Sequence, residues 1–490
     1  MNQSLTYNQY KWRIFLIAIA LHLMASFFSE GYHKLDEHDG IVISTSYLLG
    51  DVAKEALSPG ETKAMIRSWL QPSIYAFFLL PLKKVGLSNP FTITFIMRII
   101  NMLLGLFALY KISDLINPIT SHDKERKLYV SVLFLFWLFP FLHVRTTSES
   151  LSGIFYVLAL SLIVKKLNLN ILEAPKSFIK NKKFQMKLCD SFAIGFLFSL
   201  SFTIRIQMAI MVFFTCLWLL FYTELKIKSL FFITLSFFIT LLAVSLVDYQ
   251  GYDFWTFPPY NNYLYNTFQG VASSLGTDPF WRYLEKSFLK LIPPYSILIL
   301  ISLFWLWFKR KLSFISVVTF SYFFLHSLIP HKELRFLFPI VYFIPFALTY
   351  FVLRFYEHKA VRYLYKVSIF INIILLLKVV IAPAYSGIGL FKTLYNHKVS
   401  HINTFEDLPR NIPFYSYENK LETSSIATLD EARTPYIFTR SLIRVEEMSM
   451  NNSCGLIYSN YPYAVVHYLS KSLMRKSKVL FLFKCTNSEI

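Results

Sequence analysis

A charged hexapeptide lies between two long apolar segments of the chain. It reads His331-Lys332-Glu333-Leu334-Arg335-Phe336, and the flanking stretches 320–329 and 336–351 carry no Asp, Glu, Lys or Arg. Because charge is costly in lipid, this segment must lie at the bilayer surface or line a wet cavity. Its basic side chains (His331, Lys332, Arg335) have the chemistry to hold a phosphate, with Glu333 orienting a neighbouring cation.

A carboxylate pair follows the first apolar segment. Asp36 and Glu37 begin eight residues after the segment ends at Phe28. A carboxylate at a membrane surface can serve as a general base or bind a metal. The alternative is a solvated acidic loop, which is the default for a single acidic cluster. Together with the hexapeptide, the pair predicts an active site at one membrane face, with Asp36 and Glu37 as its candidate catalytic residues.

Further polar residues interrupt apolar runs or stand at predicted span ends. An arginine within a span usually faces a cavity or a partner, and several on one side favour a phosphate-accepting pocket. Arg145 and Arg205 are therefore candidate phosphate ligands; the structural alternative is a buried ion pair with Glu149 or Asp248. The residues of this group that could bind or orient substrate are Arg67, Gln207, Asn262 and Asn266.

Composition assigns the chain to the polytopic membrane proteins. Its 490 residues are 55% hydrophobic, 18% aromatic and only 16% charged, with a mean hydropathy of +0.46; soluble domains are about a quarter charged. The formal net charge of +20 is explained by basic cytoplasmic loops rather than by nucleic-acid binding. Candidate spans lie near 13–28, 72–88, 91–110, 128–144, 151–165, 190–204, 207–223, 229–247, 286–308, 312–329, 336–353 and 364–382.

Charge also predicts the orientation of the loops. Basic residues concentrate in 165–187, 309–311 and 354–362, which reads as the cytoplasmic side. If the N-terminus is cytoplasmic and every candidate span crosses, the basic 111–127 loop falls on the extracytoplasmic side, against the charge rule. Either one segment between 72 and 144 does not fully cross, or a span has been missed or split. The first segment is interpreted as a retained span, with a cleaved signal peptide as the alternative. The loops predicted to be extracytoplasmic are 29–67, 248–285, 330–335 and the tail after 383.

The last hundred residues form a region of different composition. We place the membrane module at 1–385 and an extracytoplasmic α/β or β-rich domain at 386–490, with strand-like runs at 455–458, 464–468 and 479–483. Cys454 and Cys485 lie there, where either a disulfide or two free thiols is compatible with the sequence. The cysteines fit no zinc pattern, and the chain has no nucleotide-binding loop, which argues against an ATP-driven pump.

These motifs, in this order, resemble those of glycosyltransferase family 22. The resemblance covers most of 13–353, and its specific part is the run from His331 to Pro339, read as HKE-x-RF-x-x-P. The chain departs from the family at Leu35 and Gly40, where the family commonly has Pro and Gln, and at Glu149, where it often has Asn. These departures fit a divergent, bacterial member. The other matching segments are Asp36-Glu37, Ile66–Pro72, Arg145–Glu149, Ile204–Gln207, Pro258–Asn266 and Gly276–Trp281.

The resemblance implies a fold and an activity. The fold is the GT-C membrane architecture, with about 11–13 transmembrane helices. The activity is inverting transfer of a sugar, with mannose favoured, from a polyprenyl-phosphate donor to a lipid-linked or extracytoplasmic glycan. Such a donor carries its own leaving group, so no nucleotide is needed, and one carboxylate suffices as base, with Asp36 preferred. No metal ligand set is predicted, although a divalent cation is left open as a cofactor.

Two other classes of protein are compatible with many spans and cavity charges. A lipid or polysaccharide flippase would place its site near the bilayer midplane and would need no large outer domain. A non-catalytic membrane subunit would need no single carboxylate. For the membrane itself, the lysine-rich composition favours a bacterial inner membrane, with the ER membrane as the alternative.

Overall fold

The chain is mostly α-helical, with a small sheet near its C-terminus. A computed structural model describes residues 6–175, 177–408, 413–416, 418, 421–450, 453–461 and 479–485. The helices are α1 (Tyr7–Phe28), α2 (Leu35–Glu37), α3 (Ile43–Leu48), α4 (Pro59–Ala64), α5 (Leu70–Lys84), α6 (Pro90–Ile112), α7 (Asp123–Phe134), α8 (Leu138–His143), α9 (Ser148–Leu167), α10 (Leu188–Ile204), α11 (Met208–Tyr222), α12 (Ile227–Tyr252), α13 (Pro258–Tyr263), α14 (Val271–Ser274), α15 (Arg282–Lys290), α16 (Tyr295–Lys309), α17 (Phe314–Leu328), α18 (Ile344–Phe355), α19 (Lys359–Ile381), α20 (Ile388–Asn396) and α21 (Leu442–Met450).

Six helical segments among the described residues are long and apolar enough to cross a membrane. The apolar part of α9 is the most enclosed, with 78% of its residues buried, against 17% for α12. An apolar helix buried on all sides belongs at the centre of a bundle, whereas α12 presents an apolar face to its surroundings as a lipid-facing helix does. The six are Tyr7–Phe28, Pro90–Ile116, Ser148–Leu167, Ile227–Tyr252, Leu334–Phe355 and Lys359–Ile381, of which Ser113–Ile116 and Leu334–Phe343 are 3-10 helices continuous with α6 and α18. Four shorter apolar helices are α10, α11, α16 and α17.

The starts of these helices follow from local sequence. Thr6 caps α1 in a reciprocal box with Gln9, which satisfies two of the free amides at the helix start. Asn89 accepts hydrogen bonds from the first amides of α6, whose first residue is Pro90. Thr147 caps α9 through Ser150 N, immediately after Arg145 and Thr146. The polar Arg145–Glu149 stretch therefore marks the start of the central helix.

Each predicted span falls on a helix, but two are interrupted. In 128–144 the chain unwinds between α7 and α8, where Asn372 of α19 donates to Leu135 O (2.8 Å) and accepts from Trp137 N (3.2 Å). A side-chain amide thus replaces the missing helical hydrogen bonds at membrane depth. Of the three spans predicted between 72 and 144, only the one at α6 is long enough as a helix to cross the membrane. This is also the region in which the basic 111–127 loop conflicts with the predicted orientation.

The second interruption lies in the predicted span 286–308. Helix α16 begins at Tyr295, nine residues later than predicted, because Pro293 and Pro294 offer no amide hydrogens to a helix at this point. The residues before the prolines form a separate short helix, α15. This separation places Lys286 and Lys290 beside the cavity described below rather than inside a span.

The C-terminal region folds as a five-stranded mixed sheet of order β2-β1-β3-β5-β4. Strand β1 pairs in parallel with β2 and β3, while β5 runs antiparallel between β3 and β4. A disulfide joins Cys454 of β4 to Cys485 of β5. The predicted run 464–468 lies outside the described residues; the other two predicted runs overlap β4 and β5. The strands are β1 (His401–Thr404), β2 (Glu422–Ser425), β3 (Tyr436–Thr439), β4 (Cys454–Ser459) and β5 (Phe481–Cys485).

The sheet region shares its core with the first outer loop. Tyr415 is 1% exposed and stacks on His38, with ring centroids 5.7 Å apart; His38 in turn stacks on Tyr32 at 5.1 Å. Ile41 and Val42 of the same loop belong to this apolar cluster. The loop that carries Asp36 and Glu37 is therefore held by residues from both ends of the chain.

Candidate active site

Asp36 lies at the meeting point of the polar segments. Its Oδ2 accepts a hydrogen bond from Arg335 Nη2 and lies 3.3 Å from Arg67 Nη2. The carboxylate remains 36% exposed, so it is both fixed and accessible. Burial alone would raise the pKa of Asp36, but the charges of Arg67 and Arg335 hold it well below its usual range. Asp36 is therefore an ionised proton acceptor between two guanidinium groups.

Glu37 has a different environment from its neighbour. Its side chain is 3% exposed, and its two oxygens accept hydrogen bonds from His33 N and Thr146 N, both at 2.8 Å. Thr146 Oγ1 donates to it as well, at 3.1 Å. Glu37 thus ties the first outer loop to the start of the central helix α9, and its lone pairs are engaged by backbone amides.

Arg145 lies beneath this connection. It is fully buried and donates from Nη2 to Ser29 O (2.7 Å) and Ser29 Oγ (2.5 Å), while its Nη1 lies 3.9 Å from Glu37. The guanidinium therefore satisfies a carbonyl left free at the end of α1. Neither Glu149 nor Asp248, the partners expected in the structural alternative, pairs with it.

Arg335 connects Asp36 to two further carboxylates. It donates to Glu333 Oε1 (2.8 Å), and its Nε lies 3.7 Å from Glu149 Oε1. Glu149 also pairs with Arg205 Nη2 at 2.7 Å, which is the buried ion pair considered for Arg205 from sequence. The Phe336 ring is near both guanidinium groups, with its centroid 5.4 Å from Arg335 Cζ and 5.3 Å from Arg205 Cζ.

The pairing of Glu149 with Arg205 predicts a large stability effect. The two side chains are 3% and 12% exposed, so Glu149→Gln would leave a buried cation without its partner. Removing one member of a buried pair costs about 3–5 kcal/mol. We expect the variant to unfold at a clearly lower temperature than the parent protein in detergent.

A matched control is Glu285→Gln, which breaks an exposed pair with Arg282 on α15. Exposed pairs contribute about 0–1 kcal/mol, so this variant should unfold close to the parent temperature. Equal, small shifts for both variants would contradict a structural role of the buried pair.

His331 and Lys332 bind backbone oxygens of neighbouring loops. Lys332 Nζ donates to Ile329 O (2.6 Å) and Asp278 O (3.0 Å), and it is 3% exposed. His331 Nδ1 lies 3.1 Å from Gly276 O, and its Nε2 is 3.5 Å from Glu333. These contacts fasten the hexapeptide to the 276–278 turn.

A cavity of about 580 Å³ opens beside Arg335. One end is basic, and the remainder is apolar and aromatic. Lys286 at the basic end is already held by Asp278 Oδ2 and Lys332 O, both at 2.7 Å. An elongated amphiphile with an anionic head and an apolar tail matches this lining. The basic end is formed by His33, Lys34, Lys286, Lys290, Lys332 and Arg335 with Glu333, and the aromatic walls by Trp137, Phe141, Phe304, Trp307, Phe323 and Phe338.

Arg67 lies on the other side of Asp36. It makes a bidentate pair with Glu61 (2.6 and 2.7 Å), and the Cα of Gly40 is so close that a Cβ there would come within 2.8 Å of Arg67 Nε. The small residue at 40, where the resembling family commonly has Gln, thus makes room for this arginine. Asn262 donates to Ile66 O at 3.3 Å and joins the 258–266 segment to the same place.

The structure brings some of the predicted site residues together and separates others. Asp36, Arg67, Glu333 and Arg335 are in direct contact, and Arg205 joins them through Glu149. Glu37 and Arg145 lie below this group, and no hydrogen bond is described from Gln207 or Asn266 to it. Among the described residues, no group of three or more His, Cys, Asp or Glu side chains is arranged to hold a metal ion.

Several residues of the arrangement were not identified from sequence. Lys286 and Lys290 are four residues apart, a spacing that places both on one face of a helix. They were missed because both fell within the predicted span 286–308. Lys34 stands two residues before Asp36 and is 3.4 Å from Glu333. Glu61 lies six residues before Arg67 without a pattern that would have identified it.

Comparisons with known proteins give a family and a fold. The sequence profile of the Alg9-like mannosyltransferase family matches residues 13–438. GPI mannosyltransferase 3 of Candida albicans is 26% identical over 342 residues, which cover 69% of this chain and 63% of that protein. Mannosyltransferase APTG1 of Arabidopsis thaliana is 23% identical over 346 residues, covering 69% and 57%. The chain therefore spans less than two thirds of the length of either relative.

The structural comparison matches nearly the whole chain. The crystal structure of ArnT from Cupriavidus metallidurans bound to undecaprenyl phosphate aligns with a TM-score of 0.51 at 9% identity, over 97% of this chain and 98% of that one. At this identity the likeness shows the fold alone. It confirms the predicted GT-C architecture, and with the apolar helices it makes the chain an integral, multi-pass membrane protein.

Proposed function

The chain belongs to the Alg9-like mannosyltransferase family, and from this premise we propose that it transfers mannose from a polyprenyl-phosphate donor to a hydroxyl group of a lipid-linked or extracytoplasmic glycan. The observation that carries the proposal is the position of Asp36. An accessible, ionised carboxylate contacts Arg335, which forms the basic end of a cavity with a long apolar wall. The proposed proton acceptor (Asp36), the proposed phosphate ligand (Arg335) and the cavity proposed for the lipid are thus adjacent.

The polyprenyl-phosphate donor would bind in the 580 Å³ cavity beside Arg335, which we call the donor cavity, in one orientation. Its phosphate would lie at the basic end, where Lys34, Lys290 and Arg335 offer charge-assisted hydrogen bonds, and its first isoprene units would lie along the aromatic wall. The ArnT structure was solved with undecaprenyl phosphate, which is the same chemical class of lipid. His331, Arg145 and Arg205 do not line this cavity, and their contacts support a role in holding the loops; direct phosphate binding by them stays a prediction.

The reaction is a single displacement. The acceptor oxygen forms a bond to the anomeric carbon as the bond from that carbon to the phosphate oxygen breaks. The hydroxyl proton passes to Asp36, and the bonding electron pair leaves with the phosphate. Fixed cations stabilise the charge that develops on the phosphate in the transition state. One attack from the face opposite the leaving group inverts the anomeric configuration.

Arg335 couples donor binding to the strength of the base. A carboxylate with a strongly lowered pKa is a weak proton acceptor. When a donor phosphate shares the Arg335 guanidinium, Asp36 loses part of its positive surroundings, and its pKa rises toward the range where it accepts a proton more readily. Glu37 would act as a positioning residue, because its oxygens are committed to His33 N and Thr146 N.

The site faces away from the cytoplasm in this proposal, and a bacterial inner membrane is favoured over the ER membrane. The Cys454–Cys485 disulfide supports placement of the C-terminal sheet in an oxidising compartment. The sheet shares an apolar core with the loop that carries Asp36, so both lie on the same side.

Thiol labelling in intact cells tests this topology. In a background without the free cysteines Cys189 and Cys216, Lys180→Cys should resist a membrane-impermeant thiol reagent, whereas Thr267→Cys and Ser400→Cys should react. All three positions are exposed, so protection reports the side of the membrane rather than burial. The opposite pattern would contradict an extracytoplasmic site.

Transfer itself separates the three classes of protein considered from sequence. Purified protein in vesicles, given radiolabelled polyprenyl-phosphate mannose and a glycolipid extract, should move label onto a glycolipid. Movement of intact donor across the bilayer would instead indicate a flippase, and no change in either would indicate a non-catalytic subunit. The family and both relatives carry the name mannosyltransferase, and nothing in these matches supports the flippase.

A further inference from the structure

A basic surface is built where α10 and α12 begin and α11 ends. The chain that leads into α10 folds back along the connection between α11 and α12. Phe184 N donates to Glu224 O (3.0 Å), and Lys226 N donates to Phe184 O (2.8 Å). We call residues 178–189 and 221–229 together the basic surface, because they contain six lysines and one carboxylate, that of Glu224.

Most lysines of the basic surface are exposed and unpaired. Lys182 is the exception, because its Nζ donates to Thr223 O at 2.6 Å and so caps the end of α11. Lys166, which lies just outside this surface, is neutralised by Asp190 at 2.7 Å. A fixed array of cations without such partners favours an anionic ligand. The exposed lysines with no carboxylate partner within the described part of the chain are Lys180, Lys183, Lys187, Lys226 and Lys228.

Large apolar side chains are exposed on the same surface. Phe178 is 61% exposed, Leu188 is 54% exposed and Ile227 is 66% exposed. Phe178 is held in place by stacking on Tyr222, with ring centroids 5.1 Å apart. Because three apolar helices begin or end here, these side chains lie at the level of the lipid headgroups. Exposed apolar residues beside unpaired lysines suit a lipid, whose headgroup meets the lysines while its acyl chains meet the apolar residues; a soluble polyanion would satisfy the lysines alone.

We propose that the basic surface binds the headgroups of anionic lipids, and that Phe178, Leu188 and Ile227 insert beneath those headgroups. Helix α12 adds to the attraction, because it begins here without a side-chain cap or an acidic residue in its first turn, which leaves free amides at the positive end of its dipole. The surface lies about 25 Å along α10 from Arg205, at the other end of that helix. It therefore binds a second lipid class away from Asp36, and the inference does not depend on mannosyl transfer.

The free thiol of Cys189 provides a local probe, because it is exposed within the basic surface. Full-length protein carrying Cys216→Ala is labelled on Cys189 with a fluorophore and placed in phosphatidylcholine nanodiscs. These contain a minor fraction of either brominated phosphatidylglycerol or brominated phosphatidylcholine. Each lysine near an anionic leaflet strengthens association about fivefold. The quenching constant should thus be at least about fivefold larger for phosphatidylglycerol, and this preference should shrink as salt is added. Equal quenching by both lipids at low salt would overturn the proposal.

Neutralising part of the array tests whether these lysines cause the preference. Lys180→Gln, Lys183→Gln and Lys226→Gln, combined, should bring the two quenching constants together, and folding should persist because all three side chains are exposed. A matched control removes three exposed lysines elsewhere and should keep the preference. A preference that survives in the first variant, or is lost equally in the control, would contradict the assignment. The control substitutions are Lys54→Gln, Lys63→Gln and Lys398→Gln.

A soluble polyanion is the competing occupant. A short single-stranded oligonucleotide, added to the labelled protein in nanodiscs of phosphatidylcholine alone, should leave the emission of the Cys189 probe unchanged. A response to the oligonucleotide that the three-lysine variant abolishes, without any preference for phosphatidylglycerol, would assign the surface to a soluble partner and overturn the proposal. Ile227→Gln separates the apolar contribution: it should lower quenching by phosphatidylglycerol and leave the salt dependence unchanged. Unaltered quenching in this variant would contradict the insertion of Ile227.

Discussion

Asp36→Asn is expected to reduce mannosyl transfer by about 100-fold or more, because the amide keeps the size of the side chain and removes its ability to accept a proton. The effect should fall on kcat. Donor binding should persist or tighten, since Arg335 loses a competing carboxylate and can engage the phosphate more fully. Transfer rates and donor titrations on the same purified preparation measure both effects.

A suitable control for this substitution is Asp253→Asn. Asp253 is 80% exposed and its only described ion pair, with Lys54, is long at 3.8 Å, so its loss should leave transfer unchanged. Turnover close to that of the parent protein in Asp36→Asn would rule out Asp36 as the base. A loss that tracks the folded fraction of the protein would indicate a structural role instead.

Arg335→Ala should weaken donor binding by about 10- to 150-fold, the equivalent of a charge-assisted contact of about 1.5–3 kcal/mol. Arg335→Lys should recover only part of this, because a point charge cannot reproduce the two-pronged guanidinium contact. Titration with polyprenyl phosphate on the folded fraction separates the effect from any loss of stability, which is expected because Asp36, Glu149 and Glu333 surround this arginine.

Arg282→Ala supplies the matched comparison for Arg335. Arg282 is 37% exposed, belongs to α15, and pairs with Glu285 and Asp278 without lining the donor cavity. Its loss should change donor affinity little. An unchanged affinity in folded Arg335→Ala would remove this residue from the phosphate site and leave it as an anchor of the hexapeptide.

The sequence was sufficient to predict the fold class because long apolar segments have few alternatives to membrane helices. What it could not show was where those helices break. Asn372 fills the gap between α7 and α8 from 235 residues away in the chain, and no local pattern reveals that a side chain will replace the missing backbone bonds. The start of α16 was a different case. Pro293 and Pro294 are a local signal for a helix break, but they stand within an apolar run that we interpreted as one continuous span.

The segments that carry the candidate catalytic and phosphate-binding residues could be recognised from sequence, but the residues that each side chain contacts could not. Asp36 and Arg335 are 299 residues apart and are hydrogen-bonded; the two charged segments that carry them were expected at one membrane face. Glu37 adjoins Asp36 in sequence, yet a helical turn sends it inward to Thr146 while Asp36 stays accessible. The buried pair that the sequence offered as the alternative for Arg205 is present with Glu149, and phosphate binding by Arg205 stays a prediction.

The configuration of the product tests the proposal most directly. Purified protein, given polyprenyl-phosphate mannose of known anomeric configuration and its acceptor glycolipid, should form a glycoside of the opposite configuration, as shown by the one-bond carbon–proton coupling of the anomeric centre. A single displacement with Asp36 as the base requires this inversion, and the Asp36→Asn variant should form little of the product. A product with retained configuration, or no glycoside at all from a folded protein that binds the donor, would contradict it.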